Sequence, residues 1–578
     1  MSDRQLLEEF LIDVPYYVPV VVESRGRSLG WESHIIHLLS ELHAGQIIRS
    51  GLLSCWSTFL NDSNIISDKR TPLYREAITT DNEASSRLSV LHVSPEMAPL
   101  SKVGGLADVV GSLPAAQREL GVDARVITPS WPDVSGRLRQ LAAKFKAGPL
   151  PVCVPLQWRA WCGSVSETEI GGVPVYLLEH PGLFDKREIY PAVLDGDSAR
   201  PFAFLSLAAL EPAFPDGWKP DIIHVHDWST CLAPAALKWH RYYGLLPEKP
   251  FTVLTIHNIA YQGSLPLSVL DEWGMAEAAF SMDAMEFYGW MNLLKGGIAS
   301  ADALTTVSHN YAKEILTPQF GEGLDGVLGY RRERLDGIVN GIDTVYWDPR
   351  TDPLVPANFG PGDMKGKNIC RRALFEECGW VSDDRPLLVS IGRLVGQKGM
   401  DILLEAVGPL VSAGARLVVI GTGEPEMEKA FAALGKKRQS EVFFRAAFDE
   451  RLAHLAYAGG DIFLMPSLFE PCGLSQMISM RYGTVPVVRG VGGLADTVSD
   501  ADAEPHGTGF MFDEYTWEAI VGAVNRALEH FRSPRRWSIL RKRCMEKDFS
   551  WSRSARDYIS LYDSLAQRGS STKREGSA

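Results

Sequence analysis

The stretch Leu387-Leu-Val-Ser-Ile-Gly-Arg-Leu-Val-Gly-Gln-Lys-Gly399 reads as a short buried strand that runs straight into a glycine-rich turn carrying two cations. Leu387–Ile391 has the length and apolar content of a strand covered on both faces. Arg393 and Lys398 then stand five residues apart across a strand-to-helix turn. From there they can grip a diphosphate from two sides. Taken alone, such a pair is more often solvated surface charge, so the surroundings must decide.

The same unit recurs on both sides of this stretch. Downstream, strands are expected at Arg416–Ile420, Val442–Arg445, Ile462–Met465, Val485–Val488 and Gly509–Phe512. Upstream they are expected at Leu88–Ser94, Ala124–Thr128, Val173–Leu178, Asp221–His226, Thr252–His257, Ala303–Val307 and Gly337–Val339. Helical stretches such as Leu106–Leu120 and Arg200–Leu210 lie between them. Alternating strand and helix implies a parallel sheet with helices on both faces. Thr351–Lys367 is rich in Pro, Gly and Asp and reads as a linker. The fold class is therefore α/β: two doubly wound, Rossmann-like domains, 88–350 and 368–545, facing across a cleft. A last helix over 546–566 crosses back to the first domain. The polar tail 567–578 is expected to be disordered, and residues 1–87 read as an extension of uncertain order.

Bulk properties exclude several classes. The chain has 578 residues, 45% hydrophobic and 22% charged, which is ordinary for a globular protein. A net charge of -13 argues against a general nucleic-acid binder. No apolar run reaches the roughly 18 residues of a membrane helix. The eight cysteines contain no C-x-x-C pair, so scattered free thiols in a reducing compartment fit best. The first residues carry Glu8, Glu9 and Asp13, so no organelle address is legible.

In an open parallel sheet, ligands bind beyond the carboxyl ends of the strands. The unusual residues cluster there. Lys102-Val103-Gly104-Gly105 follows the first strand, His226-Asp227-Trp228 a later one, and Asn340-Gly341-Ile342-Asp343 closes the first domain. In the second domain Gly421-Thr422-Gly423, Ser467 to Leu474 and Arg489 to Gly493 occupy the same positions. A lone lysine before two glycines is usually a solvated turn residue, and a histidine on an apolar strand is usually core. Glu470 is harder to assign to packing, since Pro471-Cys472-Gly473 follows it and opens a helix whose first turn would hold Pro471. Asp195-Gly196-Asp197 has the D-x-D form of metal-using sugar transferases, but Asp197 reads as a helix N-cap, and no metal is expected. Gly490-x-Gly492-x-x-Ala495 fits a loose dinucleotide fingerprint too late in its domain to count. Trp158, Trp161 and Trp228 could stack on sugars, although core packing is the commoner role. One internal echo stands out. Gly104-Gly105-Leu106-Ala107-Asp108 recurs as Gly492-Gly493-Leu494-Ala495-Asp496, each where a glycine loop opens a helix, which supports two such domains in series, although chance has even odds since Gly-Gly before a helix is common.

Together these motifs resemble bacterial glycogen synthases and plant starch synthases, glycosyltransferase family five with the GT-B fold. The resemblance covers about Leu88 to Tyr562. It rests on Lys102-Val-Gly-Gly-Leu, His224-Val-His226-Asp-Trp, Thr255-Ile-His-Asn-Ile-Ala-Tyr-Gln-Gly, Asn340-Gly-Ile-Asp, Gly392-Arg-Leu with Gln397-Lys-Gly, and Phe469-Glu-Pro-Cys-Gly-Leu. It implies retaining transfer of glucose from ADP-glucose, or UDP-glucose, to the non-reducing end of an α-1,4-glucan, with no metal and no other cofactor. Arg393 and Lys398 would hold the diphosphate, Glu470 would support the transition state, and His226 would hydrogen-bond near the glucose. Asn340 would contact it, and Asp197 would be the family's acidic residue at the same cleft. Lys102, Gly104, Gly105 and Asp108 would border donor and acceptor, with Cys472, Gly473, Leu474 and Ser475 at the phosphate or sugar. Many members have Thr where this chain has Val103, a departure shared with plant starch synthases of classes III and IV; a plastid setting would follow for a plant or alga, a cytoplasmic one otherwise. Rival readings are a phosphorylase with pyridoxal phosphate, a sucrose-related transferase, or a silent glucan-binding scaffold of the same fold. The whole reading needs Arg393, Lys398 and Glu470 to meet in one groove, with His226 opening on it from the other lobe.

Overall fold

The computed structural model describes residues 88–575, apart from 157–158, 212–213, 215–216 and 448. The expectations for residues 1–87 and for Trp158 lie outside the described residues.

The first lobe carries β1 (Ser89–Val93), β2 (Asp123–Pro129), β3 (Ala147–Leu156), β4 (Arg159–Ile170), β5 (Val173–Glu179), β6 (Ile222–His226) and β7 (Phe251–Ile256). A small three-stranded sheet of β8 (Ser264–Leu265), β9 (Glu286–Phe287) and β10 (Trp290–Asn292) is inserted before β11 (Ala303–Thr306) and β12 (Leu335–Gly337). The main sheet has nine strands in the order β12-β11-β7-β6-β1-β2-β5-β4-β3. All its pairings are parallel except β3 with β4 and β4 with β5. The second lobe carries β13 (Leu387–Ile391), β14 (Arg416–Ile420), β15 (Val442–Arg445), β16 (Ile462–Met465), β17 (Val485–Arg489) and β18 (Phe510–Phe512). These form one all-parallel sheet in the order β15-β14-β13-β16-β17-β18. Counted from its first strand, that order is the 3-2-1-4-5-6 of a dinucleotide-binding fold, whose switch point falls between its first and fourth strands.

Continuous apolar runs form these strands because helices cover both faces. Val485 to Val488, for example, is buried throughout. Two hydrophobic cores result, one per lobe. A third lies on the outer face of the first sheet. There Val90, Ile222 and Val253 meet Trp551, Ala555, Tyr558 and Tyr562 of the last helix, Trp551–Glu575. Fully burying each large apolar side chain there contributes roughly 1.5–3 kcal/mol. The helix is thus an element of the first lobe although the chain reaches it from the second. The two chain crossings lie side by side. Ile342 N–H donates to Phe549 O at 2.8 Å, and any side chain on Gly341 would strike the Trp551 backbone.

The structure corrects four expectations. The strand placed at Gly337–Val339 is at Leu335–Gly337, the edge of the sheet. The helix placed over 546–566 begins at Trp551 and continues to Glu575, so most of the supposed disordered tail is helical; past Ala566 the sequence carries no apolar residue larger than glycine to betray it until Ala578. Thr351–Lys367 is no free linker, because Asp352, Val355 and Phe359 are buried in the second lobe, where Asp352 accepts from the Tyr482 hydroxyl at 2.6 Å. The cysteines are not all free either. Cys153 and Cys162 sit opposite each other in the β3–β4 hairpin and form a disulfide. Pro149, Pro151 and Pro155 hide β3 from a sequence reading, and an edge strand tolerates them. Among the described residues, no helix is long and apolar enough to cross a membrane.

Candidate active site

Both switch points gather charged and titratable side chains. In the second lobe the turn after β13 and the turn after β16 meet. Gly396–Lys398 forms one 3-10 turn, closed by Gly399 at φ +68. A side chain on Gly399 would overlap the Pro466 carbonyl, so only glycine lets the two turns touch. That contact sets Lys398 Nζ 2.5 Å from Glu470 Oε2. Ser467 Oγ donates to the same oxygen at 3.1 Å. Glu470 is 4% exposed, and an ionised carboxylate at that depth is stable only when paired. Arg393 is exposed, with its guanidinium 3.3 Å from Gln397 Oε1. The turn after Glu470 continues through buried Cys472 and through Gly473 at φ +75 into a helix that begins at Ser475, with Leu474 before it. Pro471 therefore precedes that helix rather than opening it. Gln476 braces the turn by donating to Cys472 O and Gly473 O at 3.2 and 2.9 Å.

In the first lobe the switch point falls between β1 and β6. After β1 the chain turns through buried Glu96, a residue that sequence patterning gave no reason to single out. Its Oε2 accepts from Val103 N–H at 2.6 Å and Gly104 N–H at 3.1 Å, and its Oε1 from the Tyr190 hydroxyl at 3.0 Å. Burial raises the Glu96 pKa, against the pull of those donors. The glycine loop is thus held from inside by a carboxylate, and two of its amides are already spent. Lys102 and Asp108 pair across the exposed loop at 2.6 Å. Gly104 and Gly105 face open space, and Val103 is 62% exposed.

His226, at the end of β6, lies differently from expectation. It is fully buried, with one ring nitrogen 3.1 Å from His92 and the other 3.0 Å from His257. It has no exposed surface, whereas its partner His257 is half-buried. His226 leaves its strand into Asp227, whose φ of +58 is strained for a residue with a side chain. Asp227 Oδ1 accepts from the backbone N–H groups of His257 and Asn258. Burial pushes the Asp227 carboxyl up to about 7 despite those donors. His92, His224 and His226 are close enough to suggest a metal cradle. Their nitrogens, however, are taken by one another, by His257 and by Gln117, Tyr562 and Thr255.

The remaining candidates separate. Asn340 is buried at the crossing between lobes, beside the Cys472 thiol, and its Oδ1 has no hydrogen-bond partner among the described residues. Asp197 is not the N-cap. Asp195 is, in a reciprocal capping box with Ser198, while Asp197 projects with 85% of its side chain exposed and pairs with Arg200. Trp228 packs edge-on against Phe202, and Trp161 stacks on His180. The second lobe reaches the first through the late glycine motif. Gly492 N–H donates to Glu314 Oε1 at 2.9 Å, and Asp496 Oδ2 accepts from Asn310 N–H at 2.8 Å.

Two Rossmann-like lobes, with chemistry at both switch points and the chain crossing back into the first, define a GT-B glycosyltransferase. The comparisons with known proteins identify the family. Residues 89–330 match the starch synthase catalytic domain and residues 379–542 the group 1 glycosyl transferases. The glycogen synthase of Anaeromyxobacter dehalogenans is 45% identical over 486 residues, covering 83% of this chain and all of that one. Glycogen synthase 1 of Rhizobium meliloti is 43% identical over 495 residues with the same coverage. The catalytic domain of starch synthase IV from Arabidopsis thaliana, solved with ADP and acarbose, superposes with a TM-score of 0.75 at 33% identity, covering 83% of this chain and 99% of that one. A sucrose-phosphate synthase from Thermosynechococcus elongatus shares the fold, at 16% identity and a TM-score of 0.52. The chain belongs to the starch and glycogen synthase family, glycosyltransferase family five, and is a glucan-extending glucosyltransferase.

Proposed function

We propose that the chain transfers glucose from ADP-glucose to the 4-hydroxyl at the non-reducing end of an α-1,4-glucan, with retention and without a metal. The observation that carries this reading is the meeting of Lys398 with Glu470 at the second-lobe switch point, with Arg393 exposed on the same turn. The donor diphosphate takes the place between those cations, where positive charge offsets the charge that grows on the leaving group. It accepts the proton of the attacking hydroxyl as the new bond forms on the same face of the sugar. Glu470, Asn340 and the turn Cys472, Gly473, Leu474 and Ser475 border the glucose and phosphate. Lys102, Gly104, Gly105 and Asp108 border the acceptor from the first lobe, with Asp197 further out. His257, not the buried His226, is the ring that meets the sugar. The condition that His226 open on the groove fails, since His226 is fully buried, and the family assignment rests instead on the matched domains and relatives.

ADP-glucose is favoured over UDP-glucose because the starch synthase IV relative was solved with ADP. The bacterial origin of the quoted glycogen synthases favours a cytoplasmic setting over a plastid one. The test incubates the protein with each labelled sugar nucleotide and glycogen, then counts polymer-bound glucose. Incorporation from ADP-glucose is expected to be about tenfold or more faster, a difference of about 1.4 kcal/mol. Equal rates would overturn the donor choice, and no incorporation from either would overturn the reading.

A further inference from the structure

Behind the first-lobe switch point the buried polar groups form a chain with one direction. Gln117 lies on the helix Gly105–Glu119, and its side chain is fully buried between β1 and the last helix. Its Nε2 donates to the Tyr562 hydroxyl at 3.1 Å, so its Oε1 is left to accept, and His92 Nε2 lies 2.8 Å from it. His92 must therefore be protonated on Nε2. A neutral imidazole then has an acceptor at Nδ1, and His226 Nε2 stands 3.1 Å from it. The same step repeats once more: His226 Nδ1 accepts from His257 Nε2 across 3.0 Å. His257 ends the chain with its proton on Nε2 and a lone pair on Nδ1, for which the described residues supply no partner. Tyr562, having accepted from Gln117, gives its own proton to His224 Nδ1 at 2.7 Å, and His224 Nε2 donates to Thr255 Oγ1 at 2.6 Å. Every bond in the network agrees with that one direction. Burial holds the rings neutral, with pKa values pushed down to about 4 at His92 and about 3 at His257.

The direction is set at a single place. An imidazole is indifferent to which nitrogen carries the proton, and so is a phenol to whether it gives or accepts. A carboxamide is not, since one end only donates and the other only accepts. Were the Gln117 amide turned over, all three rings would exchange tautomers and His257 would present an N–H where it now presents a lone pair. A sugar hydroxyl can donate to the lone pair but not to the N–H.

We infer that Gln117 is a positioning residue for sugar transfer: its amide, with Nε2 toward Tyr562 of the last helix and Oε1 toward His92, orders the protons of His92, His226 and His257 so that His257 offers an acceptor at the carboxyl edge of the first sheet. The inference rests on that edge being the sugar site, but the histidine tautomers are read independently of activity.

The test compares Gln117→Met, which fills the space without either polar end, with Gln117→Glu, whose carboxylate oxygen still accepts from His92. Nitrogen spectra of histidine-labelled protein report which ring nitrogen is protonated. The parent protein is expected to show Nε2–H at all three rings, and Gln117→Met a mixture. Turnover in Gln117→Met is expected to fall about tenfold, with the KM for glucan within about twofold. Gln117→Glu should restore both the single tautomer pattern and most of the turnover. An unchanged histidine pattern in Gln117→Met overturns the inference. So does an equal loss of turnover in both variants that follows their melting temperatures, which would make Gln117 a packing residue. Altered tautomers with unchanged turnover would overturn the sugar contact of His257 while leaving the family reading intact.

Discussion

The same five residues, Gly-Gly-Leu-Ala-Asp, occur once in each lobe, at 104–108 and at 492–496, and they are used in opposite ways. In the first lobe the two glycines are exposed, and a side chain on either would meet nothing within 4 Å. In the second they are buried. A side chain on Gly492 would overlap the Glu470 carbonyl, and one on Gly493 the Cys472 carbonyl. One feature is shared: a first-lobe glutamate holds a backbone N–H of each copy, Glu96 at Gly104 and Glu314 at Gly492. The early copy is an open rim. The late copy is a joint, bringing the helix Gly492–Thr497 against the turn that carries Glu470 while touching the other lobe. Identical letters do not fix a role; the space around them does.

The sharpest way to break this contrast is Gly492→Ala. The residue has φ +45, and the new methyl must push the Glu470 backbone aside. Strain and overpacking together are worth roughly 3 kcal/mol. Turnover should fall about a hundredfold, with a lower melting temperature, and glucose incorporation beside a thermal melt would check both. A smaller effect is expected from Lys398→Ala, which removes the cation and leaves Glu470 buried with only the Ser467 hydroxyl on its Oε2. Turnover should fall by at least about tenfold, and breaking the buried pair should cost about 3 kcal/mol of stability. The double variant Lys398→Ala/Glu470→Gln separates the two losses. It should recover much of the stability and none of the transfer. Near-normal transfer by Lys398→Ala would remove the second-lobe turn from the active site.

The contrast also marks what could be read from the sequence. The strands of both sheets were legible because helix-covered parallel strands are unbroken apolar runs, and the polar motifs fell at their ends. The hairpin β3–β4 was not. Proline interrupts one strand, polar residues alternate along the other, and without that pairing Cys153 and Cys162 gave no reason to be joined. At the site, Lys398 and Glu470 were legible because a charge beside glycine at a strand end has little packing value. Glu96 was not, since nothing local distinguishes a carboxylate that serves its own backbone. The histidine chain had one missed signal. His224 and His226 are two apart in a strand, so both face the same side of the sheet, and His92 pairs in register with His224 on the neighbouring strand. Three histidines on one buried face must find their partners inside the protein: His92 and His226 find each other, and His224 finds Tyr562 and Thr255.

The lobes should also differ in their response to pH, because buried neutral groups line the first switch point and an ion pair the second. Asp227 tests this. Its carboxyl titrates near 7 in the folded chain, against an ordinary value of 3.8. Between those values the folded protein holds a proton that the unfolded chain has lost. The stabilising contribution is therefore complete below about pH 4 and disappears as pH rises through about 7. Asp227→Asn cannot lose that proton, and asparagine tolerates the positive φ at this position. The melting temperature of the parent protein, relative to Asp227→Asn, should drop by about 2–4 °C or more from pH 5 to pH 8. A constant gap across that range would show that Asp227 is ionised throughout.

The smallest effect sharpens the contrast from the open side. Gly105 begins the helix Gly105–Glu119 with an ordinary backbone, and nothing lies within 4 Å of where a methyl would stand. Alanine there reduces the freedom of the unfolded chain, so Gly105→Ala should be more stable by about 0.4–1 kcal/mol. That gain is the opposite in sign to the effect of the same substitution at Gly492. If the space is kept for the growing glucan, the methyl will be felt only when glucan is bound. The KM for glucan should then rise severalfold while stability improves. A variant that gains stability and keeps its glucan KM would show that the acceptor passes elsewhere, and that the open rim of the first lobe serves no more than the turn it makes.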